Sequence, residues 1–136
     1  MTEHTLQQKL IAEFIGTLFL TYTVCLTAVW GSSGDFHPGF AIAATLMAMI
    51  YSLGYISGAH FNPAVTIGIW IRGSCEKSEV TPYIATQVVA GGLGALLSSY
   101  TYTGEYSRGS LETASLLLNS EIHEVLLAEF LFTFAL

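Results

Sequence analysis

Gly58-Ala59-His60-Phe61-Asn62-Pro63-Ala64-Val65-Thr66-Ile67-Gly68-Ile69-Trp70-Ile71-Arg72 is apolar, yet too short to cross a bilayer. A helix from Asn62 to Arg72 rises roughly 16 Å, about half the ~30 Å of hydrocarbon. Asn is a favoured N-cap, and Pro at the first helical position gives up no hydrogen bond there. The helix is therefore expected to start directly after Asn62, which leaves Ser57-Gly58-Ala59-His60 outside regular helix. Irregular backbone at membrane depth is tolerated only inside protein or beside water. The stretch predicts a re-entrant half-helix, loop and helix together covering 58–72, whose tip faces a water-filled path or a protein cradle.

The flanking sequence supplies the membrane. Of the 136 residues, 52% are hydrophobic and 10% charged, against about 25% charged in soluble domains. Leu10 to Trp30 holds only Glu13 as a charge, and Pro38 to Ala59 and Thr81 to Gly104 hold none. Each is long enough to span as a helix, which takes about 20 residues. Backbone amides in lipid need partners within their own segment, and no run of short alternating strands suggests a barrel. The first stretch exceeds the apolar region of a signal peptide and is read as a retained span. The expected fold class is all-α: a multi-pass membrane helical bundle.

Ala12-Glu13-Phe14-Ile15-Gly16-Thr17-Leu18-Phe19-Leu20 matches Ala128-Glu129-Phe130-Leu131-Phe132-Thr133-Phe134-Ala135-Leu136 at five of nine positions, a carboxylate within each. Repeats of opposite topology are a common way to build transport proteins, with the permeation site at the repeat interface. Three spans separate the copies, so the second enters from the other side. The organisation expected is one domain over 1–136, with a first repeat at about 9–104 and the start of a second at about 120–136. A fourth span ending part-way at Leu136 reads as truncated.

The net charge of −6 excludes nucleic-acid binding as a function. Lys9 precedes the first span and Arg72 and Lys77 lie between the second and third, which by the positive-inside rule puts the N-terminus in the cytoplasm. Cys25 lies in the first span and Cys75 in the basic loop; neither a disulfide between them nor metal spacing is expected.

Gly58 to Thr66 resembles the first Asn-Pro-Ala loop of the major intrinsic protein family, the aquaporins and glycerol facilitators. Ala12 to Thr17 resembles the family's first helix, and Pro82-Tyr83-Ile84-Ala85-Thr86-Gln87-Val88-Val89-Ala90-Gly91 its third. The resemblance implies six spans and two half-helices meeting at the membrane centre, one pore per subunit, and assembly as a homotetramer in the plasma membrane. Only one Asn-Pro-Ala, Asn62-Pro63-Ala64, is present, because the three prolines stand at 38, 63 and 82.

The same resemblance implies roles for single residues. Asn62 is expected to donate to a passing oxygen where the half-helix dipole adds positive charge; a plain helix cap is the alternative. Gly58, Ala59 and His60 fall on positions whose carbonyls line the path, Gly58 being equally compatible with a bare turn. Glu13, Gln87 and Glu129 are assigned as structural anchors, Glu13 holding the loop at His60 and nearby amides. His60 is read as a partner of Glu13 and not as a metal ligand or catalytic base. Ile42 falls on the second-helix position of the outer constriction, which often holds Phe in water channels and Trp in glycerol channels; the alternative is a core or lipid-facing residue. Gly91, Gly92, Gly94 and Ala95 read as helix packing, and Tyr100, Tyr102, Tyr106 and Trp70 as an interfacial belt or subunit contact.

The function expected is a passive channel for water, with glycerol, urea, ammonia or peroxide as alternative neutral solutes. Neither an enzyme constellation nor a cofactor or metal site is read. Two other classes compete: a nearly closed junctional protein on the same fold, and a proton-coupled transporter using Glu13.

Overall fold

The computed structural model describes residues 4–29 and 37–101. All regular structure among those residues is helical, with no strand: α1 (Leu6–Val24) running on into a π-turn (Cys25–Val29), α2 (Pro38–Ser57), α3 (Pro63–Ile71) and α4 (Lys77–Thr101). Tyr102, Tyr106, Glu129 and the expected second repeat lie outside the described residues.

Each helix begins where its local chemistry places it. Thr5 and Gln8 form a reciprocal capping box that starts α1 at Leu6, four residues before the apolar stretch begins. His37 caps α2 through its ring, with Pro38 at the first helical position. Asn62 caps α3, its side chain accepting from Ala64 and Val65 N–H, again ahead of a proline. α4 starts at Lys77 and not at Thr81, because its charged first turn is accommodated at the membrane boundary. There Glu79 pairs with Lys9 of α1 at 2.6 Å. α2 ends at Ser57 with Gly58 in the left-handed conformation, φ 89°, a C-terminal cap for which glycine is best suited.

Three helices are long and apolar enough to span: Leu6–Ala28, Pro38–Ser57 and Lys77–Thr101. α1 is the central element, packed on α2 and α4, while α3 rests on α4. The α1–α4 approach is close at Gly94, where a Cβ would stand 2.8 Å from the Leu18 carbonyl oxygen and 3.1 Å from the Tyr22 nitrogen. Gly91 faces Thr21, but Gly92 has open space where a side chain would be. Of the small residues read as packing, Gly92 therefore lies on the outward side of the helix, since the five positions 91–95 of α4 make more than one full turn and cannot all face one neighbour.

The depth of the half-helix follows from its neighbours. Phe61 lies against Gly16, seven residues along α1 from Lys9 at the membrane boundary, or roughly 10 Å into the ~30 Å of hydrocarbon. From there α3 runs back over nine residues, roughly 14 Å, toward the end where α4 begins. It enters and leaves by one face.

Candidate functional site

The site forms around one carboxylate. Glu13 is fully buried in α1 and accepts four hydrogen bonds: from Ser57 Oγ (2.7 Å) and His60 N (2.9 Å) at Oε1, and from Phe61 N (2.6 Å) and Gln87 Nε2 (2.9 Å) at Oε2. A charge removed from water is costly unless its lone pairs are met by donors. These four come from the end of α2, the loop and α4, so satisfying Glu13 ties three chain segments to the first helix.

The anchoring dictates which way the loop backbone faces. Gly58 N donates to Gly54 O and Ala59 N to Ser57 Oγ, while the His60 and Phe61 N–H groups go to Glu13. With every N–H of 58–61 directed into the protein, the four carbonyl oxygens remain; no donor among the described residues reaches them. Ala59 and Phe61 hold φ values of 53° and 49°, a region costing about 1–2 kcal/mol for a residue with a Cβ. Hydrogen bonds to a charged acceptor, about 1.5–3 kcal/mol each, offset that strain.

Behind the loop, Gln87 Nε2 also donates to Thr66 Oγ1 at 2.9 Å, and Thr66 Oγ1 lies 3.1 Å from Asn62 O and 3.2 Å from His60 Nδ1. The acceptor-only carboxylate fixes the Gln87 amide orientation, since its NH₂ must face Glu13. Tyr83 donates to Ser57 O at 2.9 Å, and its ring meets His60 edge-on at 5.0 Å.

Asn62 stands at the tip. Its Oδ1 is taken up by Ala64 N at 2.7 Å and Val65 N at 3.4 Å, so the NH₂ is the end left over, with no acceptor among the described residues. Its two donors and the N-terminus of α3 coincide, which gives one point of positive potential within the membrane. Pro63 and Ala64 open α3 behind it.

The sequence reading and the structure differ in detail. His60 meets Glu13 through its backbone N–H, and its ring turns to Thr66 instead, because both carboxylate oxygens are already filled by shorter-reaching donors. Ile42, expected at the outer constriction and not in this cluster, is half-buried on α2. Fifteen residues of helix, roughly 22 Å, separate it from Ser57, which places it toward the opposite face. Ser57, Thr66 and Tyr83 escaped the sequence reading. Thr66 had a signal, since a Thr four residues after an N-cap can bond back to its carbonyl; Ser57 and Tyr83 had none, because their contacts depend on how α2 and α4 cross.

Comparison with known proteins agrees with this architecture. The sequence profile of the Major intrinsic protein family matches residues 1–136. Over 104 residues the chain is 39% identical to Aquaporin Z of Photorhabdus laumondii subsp. laumondii, an alignment covering 72% of this chain and 45% of that protein. Over 93 residues it is 47% identical to Aquaporin NIP1-1 and 43% identical to Aquaporin NIP1-2 of Arabidopsis thaliana, covering 65% of this chain and 31% and 32% of those proteins. The chain belongs to the major intrinsic protein family, whose members are channels for water or small solutes. It spans between about a third and a half of the length of the curated relatives it matches.

Proposed function

We propose that this chain forms one half of the wall of a passive water pore, with the carbonyls of Gly58, Ala59 and His60 as acceptors and the Asn62 amide as donor. The observation that carries the reading is the one-sided hydrogen bonding of residues 58–61: every N–H is spent on the protein side, leaving oxygens opposite. A row of acceptors ending in a donor at a positive helix tip suits water, which meets the row with its hydrogens and the asparagine with its oxygen. The same field disfavours cations and protons. Glu13 and Gln87 serve as anchors behind the path, and by repeat symmetry Glu129 is assigned the same role.

The pore is completed by a second half-helix meeting Asn62 from the other face, supplied by further chain or by a second copy. In the proposed setting the protein is a homotetramer in the plasma membrane, with the Lys9–Glu79 end and the N-terminus in the cytoplasm. Ile42 supports a second solute class. An aliphatic side chain at the outer constriction leaves more room than an aromatic ring, which suits glycerol, urea, ammonia or peroxide beside water.

Osmotic shrinkage of proteoliposomes tests the proposal. The chain reconstituted with a complementary second half-barrel is expected to speed water flux well above lipid alone, and glycerol gradients report the second class. Full assembly with no flux of either solute contradicts a channel and favours the junctional reading. Uptake driven by a pH gradient and lost in Glu13→Gln would favour the transporter.

A further inference from the structure

Phe61 is held in a way that the hydrogen bonds of the loop do not require. The residue is 3% exposed and its ring is seated directly on Gly16, where a Cβ would overlap the ring atoms Cδ1, Cε1 and Cζ. Gly16 lies inside a long helix, where glycine costs about 0.8–1.0 kcal/mol relative to alanine. That cost and the space it opens fall on the residue's contact with one ring. Phe61 also carries φ 49°, a conformation that for a bulky residue marks a constraint. Being the residue immediately before Asn62, its φ and ψ set the direction in which the Asn62 side chain leaves the backbone.

Two constraints therefore meet at Phe61: its N–H on Glu13 at 2.6 Å and its ring on Gly16. Glu13 alone fixes one end of the peptide plane and leaves rotation about it open. The ring removes that freedom. We propose that Phe61 is the positioning residue for Asn62 and that Gly16 is its socket, the pair setting the aim of the Asn62 NH₂ independently of the anchoring of the loop. This rests on the pore reading only in taking Asn62 as the donor at the path.

The sequence contains two asparagines, Asn62 and Asn119, so the side-chain amide of Asn62 can be followed by NMR in lipid nanodiscs after ¹⁵N-asparagine labelling, with Asn119→Gln for assignment. Gln87 Nε2, labelled separately, reports the Glu13 cluster. Gly16→Ala is expected to shift the Asn62 amide resonances, and so is Phe61→Leu, with Gln87 left in place. Combining them is expected to return Asn62 toward its original position, because leucine lacks the ring atoms that a Gly16 methyl would meet. If Gly16→Ala fails to fold, Phe61→Leu still decides. An Asn62 signal indifferent to Phe61→Leu, or a Gln87 signal that moves as far as that of Asn62, overturns the proposal, since the ring is then idle or merely part of general packing. A proteoliposome that conducts no solute while these shifts appear as expected would count against the pore and not against the socket.

Discussion

The most apolar eighteen-residue stretches of the first two spans, Leu6–Ala28 and Pro38–Ser57, have the same mean hydropathy, yet the two helices are put to different uses. In α1, 22% of the most apolar eighteen-residue stretch is buried among the described residues; in α2 the share is 0%. The inward face of α1 carries Glu13, Gly16 and Thr17, whereas α2 turns Phe40, Met47, Tyr51 and Tyr55 outward. Apolarity says that both helices cross a membrane. What separates them is where the few polar and small residues lie: on α1 they organise a site, on α2 they leave a broad surface for lipid or another subunit. In a membrane an ionisable side chain with four donors is a stronger guide to architecture than any quantity of leucine.

This contrast predicts a gradient of mutational effects. Glu13→Leu is expected to be the most damaging, since it strands four donors in a site without water. At about 1–3 kcal/mol for each unmet group, the loss amounts to several kcal/mol and should appear as a collapse of the folded fraction in detergent thermal-unfolding assays. Next comes Gly94→Val, where backbone atoms of Leu18 and Tyr22 cannot retreat from the new methyls; overpacking of about 1–3 kcal/mol is expected by the same assay. Thr66→Val removes the hydroxyl shared by Gln87, His60 and Asn62 at the cost of about 1–2 kcal/mol.

Two smaller effects sharpen the comparison. Lys9→Met breaks a partly exposed ion pair and should cost about 0.2–1 kcal/mol, less at high salt. Tyr51→Phe on the outer face of α2, where Tyr51 is 83% exposed, should change stability by no more than about 0.5 kcal/mol. Should Tyr51→Phe prove as costly in the monomer as Thr66→Val, the division of labour between the two helices would be wrong.

Much of this was legible in the residues. The half-helix was readable because Asn62 and Pro63 are both start signals and fall in a stretch too short to span. Glu13 announced itself as a lone charge in an apolar run. The capping box at Thr5 and Gln8 was equally open to reading, but the apolar stretch drew the first helix boundary to Leu10. What could not be read is what depends on helix crossing: that Tyr83 reaches the last carbonyl of α2, that Thr66 stands between His60 and Gln87, and that Gly16 receives a ring from a residue 45 positions away. Gly16 looked like one more small residue in a membrane helix, because glycine carries no polar mark to say which neighbour it admits.

The central claim, that the carbonyl side of 58–61 and the Asn62 amide face water within the membrane, is tested most directly by thiol accessibility. With Cys25 and Cys75 changed to serine, single cysteines at Ala59 and at Tyr51 are exposed to a charged, water-soluble thiol reagent in the assembled protein. Ala59→Cys should react and Tyr51→Cys should not, in spite of its far greater exposure in the isolated chain. An unreactive cysteine at 59 beside a reactive one at 51 would contradict the account.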